Sequence, residues 1–159
     1  LFFLRDFQMK DEQGNIRVEA TTSWIVLNLE TRRFVRDPKL MDEGTTCSEN
    51  AIEQPADKVG MPRDVEPTFV MTHVVSYSDV DMLGHANNAM YMHWAMDAVD
   101  YDITSSRAIK EFTINFNREA RPGENVEIYR VVQEIDGDLH VWVEGKVDGS
   151  SSFCIKMLF

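Results

Sequence analysis

The stretch Tyr77–Val99, YSDVDMLGHANNAMYMHWAMDAV, constrains this chain more than any other. Its first part is polar and turn-like, and from Asn87 onward nearly every residue is apolar. Such a run predicts a buried helix preceded by a loop that carries the ionisable groups. Between Ala89 and Val99 only His93 and Asp97 are clearly polar, and Asp100 follows just beyond. Their spacings of four and three place them on one narrow stripe. Met90, Trp94, Ala95, Met96 and Ala98 fill the remaining circumference, as in a helix covered on most sides. At about a dozen residues it is too short to span a bilayer. Asn87 or Asn88 is the expected N-cap.

The loop ahead of the helix holds two carboxylates (Asp79, Asp81), a glycine followed by a histidine (Gly84, His85) and two asparagines (Asn87, Asn88). A helix N-terminus offers unpaired N–H groups and partial positive charge. Ionisable side chains beside it supply an acid, a base or a water-positioning group. Each residue also has a purely structural use, as a cap or as a turn residue. Their combination ahead of a buried helix is what points to chemistry. His93 on the polar stripe, and His73 and His140 in strand candidates, read as structural. Met82, Met90, Met92 and Met96 read as core filler.

The rest of the chain reads as β structure. Residues 1–28 form a hairpin around EQGN, where Gly14 and Asn15 tolerate positive φ. The most basic stretch follows, with Arg32, Arg33, Arg36 and Lys39, and reads first as a solvated turn and second as a partner-binding patch. Residues 44–66 show little apolar periodicity and contain Pro55 and Pro62, as a linker does. The expected organisation is therefore a closing hairpin of a truncated first domain over 1–43, a linker over 44–66 and a complete domain over 67–159. That last unit opens with a strand near Thr68–Ser76. After the loop and helix come four strand candidates, IKEFTINFNRE, ENVEIYRVVQEI, LHVWVEGKV and FCIKMLF. The last places Phe153, Ile155, Met157 and Phe159 on one face. A strand, a buried helix and four antiparallel strands predict an α+β fold in which the sheet wraps the central helix.

The formal net charge of −11 argues against a nucleic-acid surface, which needs a basic patch. The two cysteines, Cys47 and Cys154, form no CxxC pair, which fits a reducing compartment and no zinc site. No signal peptide or membrane span is visible in the sequence. The opening LFFLRDF starts in mid-strand without a methionine, which reads as a truncated start.

Three stretches together resemble the acyl-acyl-carrier-protein thioesterases. The pattern SxxDMxGHxNNxxYxxW is met by Ser78, Asp81, Met82, Gly84, His85, Asn87, Asn88, Tyr91 and Trp94. TSWIVLNLETRRFVRDP is similar to the end of the family's first domain through Trp24, Asn28, Thr31, Arg32 and Arg33. FNREARPGE resembles the segment after the second domain's helix, which carries a family glutamate, here Glu119. The resemblance implies two hotdog domains in tandem. It also implies hydrolysis of fatty-acyl thioesters of acyl carrier protein, with release of free fatty acid and without metal or cofactor. The compartment it implies is the bacterial cytoplasm or the plastid stroma.

Carried over residue by residue, the catalytic set is Asp81, His85 and Glu119, with Gly84, Asn87 and Asn88 beside the substrate. Glu119 and Asp81 are both candidate general bases. N–H groups near Gly84 and His85 are candidates to face the oxyanion, and His85 to orient the carboxylate or protonate the leaving thiolate. The family's asparagine two residues after Asp81 is here Leu83, which cannot hydrogen-bond. The cysteine that some members carry after the glutamate is Ala120. Arg32, Arg33 and Arg36, with Arg118, are the candidates for docking an acidic carrier protein. Two alternatives stand beside this reading: an acyl-coenzyme A thioesterase, and a non-catalytic acyl-binding or structural hotdog protein, which Leu83 makes plausible. A single hotdog leaves a sheet edge and an apolar face open. It is therefore expected to pair with another hotdog, in an earlier part of the chain or in a second chain.

Overall fold

The structure, a computed structural model, describes residues 2–28, 30–31, 33–37, 39 and 49–159. Arg32 and Cys47 lie outside the described residues. The chain divides into two compact units, residues 1–57 and 58–159.

In the first unit, β1 (Phe3–Lys10) pairs antiparallel with β2 (Ile16–Trp24), Phe3 lying opposite Trp24. Asp11 builds the turn between them. Its carboxylate accepts from the amides of Gln13 and Asn15 at 3.0 and 2.8 Å, and its own N–H donates to the Asn15 carbonyl. Beyond β2, Leu27 bridges to Phe34, and Asn28 Oδ1 accepts from the Thr31 N–H and hydroxyl at 2.7 and 3.0 Å. Arg33 and Arg36 are exposed on this stretch.

The second unit is an antiparallel five-stranded sheet in the order β3-β5-β6-β7-β4. Its strands are β3 (Thr68–Val74), β4 (Glu111–Phe116), β5 (Asn125–Ile135), β6 (Asp138–Val147) and β7 (Ser150–Leu158). Two helices, α1 (Asn88–Asp97) and α2 (Tyr101–Ser106), lie between β3 and β4. Alternation along the strands fixes the inner face: Val126 and Ile128 of β5, Val141, Val143 and Val147 of β6, and Phe153, Ile155 and Met157 of β7 are all buried. They close on Tyr91, Trp94, Ala95 and Ala98 of the α1 segment in a single apolar cluster. This is the sheet-around-helix arrangement expected from the sequence. Tyr91 packs its ring edge-on against Phe153 at 5.3 Å and Phe116 at 5.5 Å, contacts that tie the helix to β7 and β4.

Three details differ from expectation. The helix is shorter than 89–99: Asn87 is its N-cap, its carboxamide oxygen accepting from the Ala89 N–H at 2.9 Å, and it stops at Ala98. There the Arg130 guanidinium donates to the Ala98 carbonyl and to Asp100, both at 2.8 Å, and the chain turns into α2. Met82 is no core filler, since it is 98% exposed. Val59, within the stretch read as linker, is buried and donates its N–H to Asn115 Oδ1 at 2.7 Å.

Candidate functional site

The loop between β3 and α1 is anchored by a buried carboxylate. Asp79, 2% exposed, closes a short 3₁₀ turn, Tyr77–Asp79. Its Oδ2 accepts from the Ser76 N–H at 2.7 Å, the Ser76 hydroxyl at 2.9 Å and His73 Nε2 at 2.9 Å. Its Oδ1 faces the Trp94 indole N–H at 3.4 Å. A carboxylate only accepts, so His73 carries its proton on Nε2. Burial by itself would raise the Asp79 pKa, but the donors from Ser76 and His73 outweigh it and hold the carboxyl below its ordinary value. The Asp79 carbonyl also accepts from the Asn87 N–H at 2.8 Å, so one residue fixes the start of the loop and the start of α1.

Between those anchors, Asp81 to His85 form a tight turn. Val80 and Ala86 pair as an isolated antiparallel bridge, the Asp81 N–H donates to the His85 carbonyl at 3.0 Å, and the Gly84 N–H donates to the Asp81 carbonyl at 3.1 Å. Gly84 sits at φ +79°, a backbone conformation that side chains disfavour. The Asp81 carboxylate accepts from the Leu83 N–H at 2.8 Å. Asp81 is thus engaged in its own turn, and the amide of Gly84 is likewise taken. Leu83 points outward, 75% exposed.

The segment carrying Glu119 meets this turn from the other side. The Ala86 N–H donates to the Ala120 carbonyl at 2.9 Å. That bond sets residues 85–86 beside residues 119–120, and His85 Nε2 stands 3.3 Å from Glu119 Oε2. The pair is partly exposed, as a site that admits a substrate must be. Asn88 begins α1 and is exposed. Of the sequence candidates, the fold therefore brings His85 and Glu119 into contact, with Gly84, Asn87 and Asn88 along the same loop. Arg33 and Arg36 belong to the other unit. Arg118 is engaged: its guanidinium donates to Glu124 at 2.8 Å and to the Val147 carbonyl at 3.2 Å. Cys154 is buried, and burial, with Glu144 adding to it, pushes its thiol up to about 12. It is no nucleophile at neutral pH.

Two residues of the loop's framework escaped the sequence reading. Asp79 was indistinguishable in type from Asp81, and only burial separates anchor from turn. His73, read as an idle strand residue, holds Asp79 and packs on Trp94 at 4.6 Å.

Comparison with known proteins adds the following. The model for "Acyl-ACP thioesterase C-terminal domain" matches residues 63–158. The chain is 24% identical over 144 residues to the chloroplastic oleoyl-acyl carrier protein thioesterase 1 of Arabidopsis thaliana, covering 84% of this chain and 40% of that protein. It is 26% identical over 120 residues to the chloroplastic dodecanoyl-[acyl-carrier-protein] hydrolase of Cinnamomum camphora, covering 72% and 31%. The chain thus spans about two fifths or less of the length of these relatives. Among solved structures, the 12:0-ACP thioesterase from Umbellularia californica superposes with a TM-score of 0.84 at 21% identity, over 98% of this chain and 59% of that one. An acyl-ACP thioesterase from Bacteroides thetaiotaomicron does so with a TM-score of 0.75 at 25% identity, over 100% and 63%. The fold is the α+β hotdog. Among the described residues, no helix is long and apolar enough to cross a membrane.

Proposed function

We propose that this chain, which belongs to the acyl-ACP thioesterase family, hydrolyses fatty-acyl thioesters of acyl carrier protein and releases the free fatty acid. The observation that carries this reading is the 3.3 Å contact between His85 Nε2 and Glu119 Oε2 at the amino end of a buried helix. The Glu119 carboxylate takes a proton from water as the water oxygen attacks the thioester carbonyl. The carbonyl electron pair moves onto oxygen. Among the described residues, the N–H groups of His85 and Asn88 meet no protein acceptor, and that of Asn88 lies in the first turn of α1, at its positive end, where it suits that developing charge. Collapse breaks the C–S bond, and His85 passes the proton from Glu119 to the departing thiolate. Asp81 shapes the turn in this reading, and Glu119 is the base. Gly84 lets the backbone turn, while Asn87 and Asn88 hold the helix start.

Arg33 and Arg36, and Arg32 outside the described residues, are proposed to dock the acidic carrier protein. The unit pairs with a second hotdog domain, in an earlier part of the chain or in another copy, in the plastid stroma or a bacterial cytoplasm. Leu83 favours the rival, a non-catalytic acyl-binding protein, because a leucine stands where the family hydrogen-bonds. Release of free thiol from a panel of acyl-carrier-protein and acyl-coenzyme A thioesters by the full-length protein separates them. Hydrolysis by the unaltered protein supports the enzyme. Hydrolysis that emerges only in Leu83→Asn supports the rival, and a preference for coenzyme A esters moves the substrate to that carrier.

A further inference from the structure

The Glu119 segment is clasped by two buried hydroxyls that no part of the reaction uses. The Ala120 N–H donates to Tyr91 Oη at 2.9 Å, and the Ser152 hydroxyl donates to the Arg118 carbonyl at 2.8 Å. The two bonds seize the backbone on either side of Glu119. Both hydroxyls come from rigid elements, α1 and β7. The Ser152 carbonyl adds to the grip by accepting from the N–H groups of Asn117 and Arg118 at 2.8 and 3.0 Å. Tyr91, Ser152 and Ala120 are all buried, so water cannot replace either bond.

We infer that Tyr91 and Ser152 are positioning residues which, through this clasp around residues 118–120, hold the Glu119 carboxylate against His85. The inference rests on Glu119 being the base, as proposed above. Without the clasp, residues 117–124 connect β4 to β5 as a loop, and a loop carboxylate samples positions away from His85. Misplacement of a reacting group by about 1 Å costs up to about 100-fold in rate.

The test uses steady-state hydrolysis of an acyl-carrier-protein thioester by the full-length protein. Tyr91→Phe keeps the ring contacts with Trp94, Phe116 and Phe153 and removes only the hydroxyl. It is expected to lower kcat about 10- to 100-fold and leave KM within about twofold. Ser152→Ala gives a smaller loss of the same kind and serves if Tyr91→Phe does not fold. In a Glu119→Gln background, Tyr91→Phe should add less than about threefold, because a clasp acts only through the group it holds. Wild-type kcat in a folded Tyr91→Phe protein overturns the inference. An equal loss in both backgrounds also overturns it, because it marks a general packing role. Full activity of Glu119→Gln alone overturns the assignment of the base instead, and so separates that failure from failure of the clasp.

Discussion

Replacing Asp79 by asparagine should destabilise the hotdog unit while leaving its shape intact. The side chains are isosteric, so the loss is electrostatic. The Asp79 Oδ2 accepts three donors at 2.7, 2.9 and 2.9 Å in a site 2% exposed. A hydrogen bond to a charged group contributes roughly 1 kcal/mol more than a neutral one, so three such bonds give about 3 kcal/mol. If the amide oxygen keeps the Oδ2 contacts, the NH₂ faces the Trp94 indole N–H, two donors face to face. The pH dependence has a definite sign. The folded pKa of Asp79 lies below the ordinary value of an aspartate carboxyl, so its contribution is complete above that value and is lost as pH falls through the folded pKa. The wild-type advantage should therefore be present from neutrality into the acid range and narrow only below about pH 4. Urea denaturation of the full chain between pH 7 and pH 3 measures it, with amide exchange in β6 and β7 identifying the transition of this unit. A difference under about 0.5 kcal/mol at pH 7 would refute the anchor. So would a difference that grows below about pH 4, which would mean the protonated form is the one held.

Two further perturbations test other parts of the account. In Gly145→Ala the new Cβ would lie against the Phe153 ring, which is fully buried and has no room to withdraw; a loss of about 3 kcal/mol in the same denaturation assay is expected, and an unchanged midpoint would show the β6–β7 core to be softer than its packing suggests. Reversing charge at Arg33 and Arg36 should weaken hydrolysis of a carrier-bound acyl group about 10-fold or more and leave the same acyl group on coenzyme A within about twofold; equal losses on both carriers would remove those arginines from docking.

Much of this fold is legible from alternation. Phe153, Ile155 and Met157 sit inward as their spacing requires, and the run after Asn87 is the buried helix. The short α2 was not legible, because YDITSS is polar and carries β-branched residues that favour strands. The loop resisted for a different reason. Asp79 and Asp81 are the same residue two positions apart, yet one is enclosed by Ser76, His73 and Trp94 and the other caps its own turn. Periodicity carries no information about such a contrast, which arises when β3 and α1 pack together. The His85–Glu119 contact is tertiary as well: it exists because Ala86 and Ala120 pair their backbones, and alanines give no advance notice of that. The helix register did hold one unused signal. Tyr91 shares the inward face with Trp94 and Ala95, and a tyrosine on a buried face needs a partner for its hydroxyl.

The claim on which the account turns is that Glu119, held at His85, removes the proton from the attacking water. Steady-state hydrolysis of an acyl-carrier-protein thioester by full-length Glu119→Gln tests it most directly, because glutamine keeps the size and hydrogen-bonding reach of the side chain and removes only its basicity. In Glu119→Gln, kcat is expected to fall by about 100-fold or more with KM little changed. A Glu119→Gln protein that hydrolyses the thioester at the wild-type rate would contradict it.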